Sequence, residues 1–150
     1  MSLVLDASLT LSWYFEDERT PATDAVLDQI VAGGAIVPSL WRLEVANGLQ
    51  MAIRRKRIDE GFRNRAIAQL ARLPINVDPD TDRYAWTTTL YLADRFTLTP
   101  YDAAYVELAQ RLMLPLATLD EPLRAAATAL GIGLLGTPGT MVSPGRRGEC

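Results

Sequence analysis

The apolar segment Leu3-Val4-Leu5 is cut short by Asp6, and the same plan returns along the chain: a brief apolar run, a polar break, then a longer stretch with helical spacing. A continuous apolar run this short suits a strand buried on both faces of a parallel sheet, because helices must cover each face and carry the chain back for the next strand. Comparable runs are Ala35-Ile36-Val37 before Pro38, Ile75-Asn76-Val77, Leu116-Ala117-Thr118-Leu119 before Asp120, and Gly133-Leu134-Leu135 at a sheet edge. Between them the spacing predicts helices beginning at Ala7-Ser8, over Thr23–Val31 with a stop at Gly33-Gly34, and over Leu40–Arg55 with Val45, Ala46, Leu49, Ala52 and Ile53 on one face. Further helices are expected over Asp59–Leu73 before Pro74, over Asp80–Asp94, over Asp102–Leu112 and near Pro122–Leu130. Such alternation specifies an α/β fold with a mainly parallel central sheet and helices on both faces.

With 150 residues, 49% of them hydrophobic, the chain can bury a proper core as one domain, expected over residues 1–136. The last stretch, GTPGTMVSPGRRGEC, lacks an apolar period, so 137–150 reads as a mobile tail. No charged region followed by an apolar run opens the sequence, and no run approaches the length of a membrane span; a cytoplasmic protein with no membrane segment is expected. The one cysteine, Cys150, excludes an intrachain disulfide and a cysteine-based zinc or iron–sulfur site. Histidine is absent altogether, which removes imidazole-based triads, histidine-ligated zinc and paired-histidine ribonuclease chemistry. Hydrolysis by this chain must rely on carboxylates, with a metal.

Ligands of open parallel sheets gather at the carboxyl ends of the strands, and Asp6 and Asp120 both follow a predicted strand onto that edge. Two further acids each carry two readings. Asp102, in TPYDAAYVELA, lies in the first turn of a helix that Thr99 caps, where the helix dipole favours an anion by roughly 0.3 to 1 kcal/mol. Glu44, in LWRLEVANGL, falls off the main apolar face beside Leu40, Asn47, Gly48 and Met51: either it faces solvent, or the small residues admit a close neighbour. The formal net charge of −3 argues against binding nucleic acid by bulk charge. Yet Arg54, Arg55, Lys56 and Arg57 form a block, followed by Arg63, Arg65 and Arg72, that either offsets a helix C-terminus or meets phosphates or an acidic partner. Leu11, Trp13, Tyr14 and Phe15 are core residues or the wall of a partner's groove.

Taken together, VLDAS, LWRLEVANGL, LTPYDAAYVELA and LATLDEPL, in that order along a compact α/β chain, resemble the PIN-domain nucleases, and among them the VapC-type toxins of bacterial toxin–antitoxin pairs. The resemblance covers Leu3 to Leu135, with YDAAY and ATLD its most specific parts. It implies a PIN-like α/β/α sandwich, an endoribonuclease dependent on Mg2+ or Mn2+, a homodimer, and neutralisation by a cognate antitoxin protein. The family's acidic quartet falls on Asp6, Glu44, Asp102 and Asp120, and its small hydroxyl positions on Ser8 and Thr118. On this reading Asp6 and Asp102 hold the principal metal, while Glu44 and Asp120 complete its shell through water or hold a second ion. Glu121 departs from the basic or neutral residue the family often has there and is read as part of a first helical turn. At about 5 Å and an effective dielectric near 20, like charges repel by roughly 3 kcal/mol, so such a quartet must take up protons or a cation. Oxygen-only donors select magnesium or manganese over zinc. Hydrolysis by this route leaves a 5′-phosphate and a 3′-hydroxyl. Arg42, Arg54, Arg55, Lys56 and Arg57 are the candidates for contacting RNA. Two alternatives remain at this level: a non-catalytic interaction module whose acids are caps and surface charge, and an aspartyl-phosphate phosphotransfer enzyme. The second has Ser8, not an acid, two residues after Asp6, and only Lys56 as a lysine.

Overall fold

The computed structural model describes residues 2–138. Strands β1 (Leu3–Leu5), β2 (Ala35–Val37), β3 (Ile75–Val77), β4 (Leu116–Ala117) and β5 (Leu134–Leu135) form one sheet, ordered β3-β2-β1-β4-β5, in which every pairing is parallel. Strand β1 is the buried centre, with Val4 paired to Ile36 on one side and Leu116 on the other. The described helices are α1 (Ala7–Ser12), α2 (Pro21–Gly33), α3 (Trp41–Arg54), α4 (Glu60–Ala71), α5 (Thr81–Tyr84), α6 (Thr88–Phe96), α7 (Pro100–Leu112) and α8 (Glu121–Ala129). The chain steps outward from β1 to β2 and β3, returns to β4, and steps outward the other way to β5. Right-handed crossovers therefore set α1–α4 on one face and α5–α8 on the other, and the direction reverses between β1 and β4. The α/β architecture expected from the strand and helix alternation is the one observed.

Local chemistry accounts for where elements start and stop. Helix α2 begins before Thr23 because Thr20 and Thr23 form a capping box, each side chain accepting from the other's amide at 3.1 and 3.0 Å, with Pro21 in the first turn. Gly34 ends it at φ 78°, its amide donating to the Ile30 carbonyl at 2.7 Å, so that β2 starts at the next residue. Helices α1 and α3 are pinned together by the Trp41 indole, which donates to the Thr10 hydroxyl at 3.2 Å.

Two expectations need correction. The single helix anticipated over Asp80–Asp94 is two, α5 and α6, with a break at residues 85–87. Consecutive threonines Thr87, Thr88 and Thr89 are stiff at χ1 and their hydroxyls compete for backbone groups; Thr87 Oγ1 donates to the Tyr84 carbonyl at 3.5 Å. Strand β4 ends at Ala117, since Thr118 and Leu119 leave it to bond with the loop after β1. Most of the 137–150 tail lies outside the described residues, but Thr137 is held by a hydrogen bond from Arg124 at 2.8 Å.

A buried ion cluster fixes α7 to the sheet. Arg111 bonds Glu107 on the same helix at 2.8 Å and Asp78, just after β3, at 2.6 Å, with its guanidinium 4.6 Å from the Tyr84 ring centre. Asp78 and Glu107 are 3% and 4% exposed, so they cannot fall back on water. Burial works to raise the Asp78 pKa, but Arg111, the Asp80 amide and the Thr81 hydroxyl outweigh it and hold the carboxyl below its ordinary value. A depressed pKa stabilises the fold above the ordinary carboxylate range and loses that contribution below about pH 4. Arg111→Met strands both carboxylates and is expected to cost about 3 kcal/mol or more at neutral pH, measured by urea unfolding.

Candidate functional site

At the carboxyl edge of the sheet, where the strand order reverses, a cleft of about 280 Å³ is lined by Asp6, Glu44, Asp102 and Asp120, with Ser8, Leu11, Asn47 and Gly48. The four acids that the sequence singled out thus come from four separate segments to one place. Asp6 stands at the N-cap position of α1 yet makes no capping hydrogen bond. Its Oδ2 instead accepts from Ser8 Oγ at 2.6 Å and Thr118 Oγ1 at 2.7 Å. Those hydroxyls in turn accept from the Leu119 amide at 3.2 Å and the Asp120 amide at 3.0 Å. One closed network therefore ties the loop after β1 to the loop after β4.

Asp102 and Asp120 keep ordinary helical roles while facing the cleft. The Asp102 amide donates to Thr99 Oγ1 at 3.1 Å, as a capped first turn requires, and Asp120 Oδ2 caps α8 by accepting from the Leu123 amide at 3.0 Å. Local and functional readings of these acids hold together. Glu44 projects from the first turn of α3, and its Oε1 accepts from the Tyr105 hydroxyl at 2.5 Å. Four residues on, a Cβ at Gly48 would overlap the Leu11 side chain; the glycine lets α1 and α3 approach closely enough to deliver Glu44.

Two supporting side chains escape a reading of the sequence alone. Tyr105 belongs by spacing to the apolar stripe of α7, and only its hydroxyl reaches Glu44. Arg124, 8% exposed, donates to the Thr118 carbonyl at 2.7 Å, the Leu135 carbonyl at 3.2 Å and Thr137, bracing the strand ends beneath Asp120. Asn47 lies one turn beyond Glu44 on the cleft-facing side of α3. A buried partner-forming role for Tyr or Arg has no signature in spacing, although a Tyr three residues after an acid on one helix face is the place to look.

The cleft is electrostatically unfavourable as it stands. Burial raises the Asp6 pKa, with Asp102 and Asp120 adding to the rise and the two hydroxyls opposing it. Burial likewise raises Glu44, against the pull of Tyr105 and with repulsion from Asp6 and Asp102. Asp102 is raised by burial and by Asp120, with Thr99 opposing. The donor set is hard oxygen throughout, which fits magnesium or manganese. Among the described residues no group of three or more His, Cys, Asp or Glu side chains is arranged to hold an ion unaided. Magnesium does not require such a cage, since it keeps several waters and takes one or two carboxylates plus substrate phosphate.

The basic candidates separate. Arg55 and Met51 line a channel of about 410 Å³ that shares Ser8, Leu11, Gly48 and Asp120 with the cleft. It continues into a groove of about 860 Å³ walled by Tyr14, Phe15, Ile53, Ile58 and Phe62, with Lys56, Arg57 and Arg65 on its rim. Arg57 is engaged, bonding Asp17 at 2.6 Å and lying 4.4 Å from the Phe15 ring centre. Arg54 is exposed at the end of α3. Arg42 is not brought to the cleft; it lines an apolar groove with Trp41, Val45, Ile67 and Leu73, because two residues along a helix turn it about 200° from Glu44. Trp13 is core, its indole donating to the Thr23 carbonyl at 2.8 Å, whereas Leu11, Tyr14 and Phe15 line the channel or groove.

A parallel five-stranded sheet with an acidic cleft at its reversal point defines an α/β domain with a carboxylate-lined site. The chain belongs to the PIN domain family, whose model matches residues 3–129. PIN domains are generally nucleases that use divalent metal ions and bind RNA. Among solved structures it is similar to PAE2754 from Pyrobaculum aerophilum, with 23% identity, 84% of each chain covered and a TM-score of 0.62, a likeness of fold. A search of curated proteins finds no match. Among the described residues no helix is long and apolar enough to cross a membrane.

The raised carboxyl pKa values carry a sign. Each favours the protonated form in the fold, so its stabilising contribution is complete below the ordinary carboxylate range and is lost as pH rises above about 4. At neutral pH, Asp102→Asn should therefore raise the Tm of the metal-free protein, a gain that shrinks toward pH 4. Differential scanning calorimetry across that range checks it.

Proposed function

We propose that this chain is a metal-dependent endoribonuclease acting as the toxin of a VapC-type toxin–antitoxin pair. The observation that carries the proposal is the convergence of Asp6, Glu44, Asp102 and Asp120 on one cleft of a PIN domain. Asp6 and Asp102 are the principal ligands for Mg2+ or Mn2+, with Glu44 and Asp120 completing the set. A divalent cation held there would supply charge neutralisation, polarisation of a phosphodiester and a more acidic water. The chain's own residues hold this arrangement still: Ser8 and Thr118 fix one oxygen of Asp6 and leave the other for the ion, and Asp120 Oδ2 is fixed by the Leu123 amide of α8. With no histidine in the chain, proton movement falls to carboxylates and water.

RNA reaches a negative cleft only if cations offset its phosphates on the approach; Arg55 lines the channel to Asp120, Lys56 the adjoining groove, and Arg54 is the exposed residue before them at the end of α3. The aromatic groove of Tyr14, Phe15 and Phe62 is where an antitoxin segment docks, and the protein works as a cytoplasmic homodimer in which residues 1–136 form the single nuclease domain.

Cleavage of RNA is expected with Mg2+ or Mn2+ and not with chelator, giving 5′-phosphate and 3′-hydroxyl ends. Asp6→Asn and Asp102→Asn proteins should fold and lose activity by about a hundredfold or more. A folded parent protein inert on RNA in both metals, or products ending in 2′,3′-cyclic phosphate, would reject the proposal. Replacing Arg54, Arg55 and Lys56 with Gln is expected to weaken RNA binding and to flatten its dependence on salt, by about one unit of slope for each phosphate no longer neutralised, read from filter-binding titrations.

A further inference from the structure

Tyr105 sits on α7 three residues after Asp102, on the same side of the helix, and its side chain is fully buried. Phenylalanine would fill that core space equally well; what the hydroxyl adds is a hydrogen bond given to Glu44 Oε1, at 2.5 Å, and one accepted from the Ala7 amide. The phenol oxygen is supported from behind by the Ala7 amide, so the group is held from three segments at once: α7 carries it, the start of α1 orients it, and α3 presents Glu44 to it. Glutamate has three rotatable bonds, and beside an open cleft its relaxed course is outward to water, away from the other carboxylates that repel it. Among the described residues the phenol is the group that hydrogen-bonds the Glu44 carboxylate.

We propose that Tyr105 is a positioning residue: its hydroxyl commits Glu44 Oε1 to the protein, leaves Oε2 for the cation, and makes α7 set the spacing between Glu44 and Asp102. The inference rests on the metal-dependent reading of the cleft given above. A neutral donor suits this task better than a lysine or arginine, because it fixes the carboxylate without cancelling the negative charge that the cation requires. Glu44 bonded in this way contributes to metal affinity in a geometry that Asp102, on the same helix as Tyr105, shares.

The test is direct Mn2+ binding to the metal-free full chain, followed by calorimetry or electron paramagnetic resonance, for the parent, Tyr105→Phe, Glu44→Ala and the double variant. Tyr105→Phe is expected to weaken Mn2+ binding about tenfold in the parent background and not at all in the Glu44→Ala background, with kcat on RNA falling while KM for RNA holds. A purely structural tyrosine would instead lower the Tm and cost the same in both backgrounds. Unchanged Mn2+ affinity in Tyr105→Phe, or an equal loss with and without Glu44, overturns the proposal. If Tyr105→Phe melts below the assay temperature, the double variant, freed of the orphaned carboxylate, is compared with Glu44→Ala alone, and any difference in affinity overturns it too. A parent chain that binds no Mn2+ overturns the nuclease reading along with this one, whereas a parent that binds and a Tyr105→Phe protein that binds equally well overturns only the role of Tyr105.

Discussion

The parallel pairing of β1 with β4 is the constraint from which the rest of the cleft follows. It brings together strands at opposite ends of the sequence, so that the Thr118 hydroxyl meets a carboxylate 112 positions earlier. Because connections leave this pair in opposite directions, neither loop covers the gap between them, and a crevice opens at the strand ends. Asp6 directly follows β1 and Asp120 closes the short loop between β4 and α8, so the two flank that crevice. The helices supply the other half: α3 swings Glu44 in across the contact that Gly48 permits, and α7, tied down by Arg111, brings Asp102.

Gathering like charges in this way works against folding, and the surroundings offset it by means other than direct neutralisation. Neither Arg111 nor Arg124 hydrogen-bonds a cleft carboxylate. Arg111, nine residues after Asp102 on α7, pairs instead with Asp78 and Glu107, and Arg124 spends its donors on two carbonyls and a hydroxyl. Among the described residues the groups that hydrogen-bond the cleft carboxylates are neutral: Ser8, Thr118, Tyr105, Thr99 and the Leu123 amide. The charge is fixed in place and left uncancelled, which is the state a divalent cation binds best.

Much of this was legible in the sequence, for identifiable reasons. Buried parallel strands show as continuous apolar runs, so all five strands and the edge shared by Asp6 and Asp120 could be read from composition along the chain. The mixed face of α3 around Glu44, Asn47 and Gly48 was visible as an interruption in helical periodicity. What periodicity does not carry is hydrogen bonding between residues distant in sequence: the hydroxyl of Tyr105 and the guanidinia of Arg111 and Arg124 look like a core aromatic and surface charge until the helices are packed. The break between α5 and α6 was missed because three threonines weaken a helix by competing locally for its backbone, while leaving the apolar spacing across the break intact. Arg42 and Arg55 illustrate the same limit: both are basic residues of α3 or its cap, yet rotation about the axis sends one to an apolar groove and the other to the channel.

The sheet order also dictates when the cleft exists during the chain's manufacture. A ribosome delivers β1, β2 and β3 first, and these three neighbours can pair as they emerge; β4 must then insert against the free side of β1, carrying Thr118 and Asp120 with it. Until β4 inserts, Asp6 lacks one of its two hydroxyl partners and the crevice has one wall. The complete quartet therefore comes together only once residues up to about 120 have been made and have left the exit tunnel.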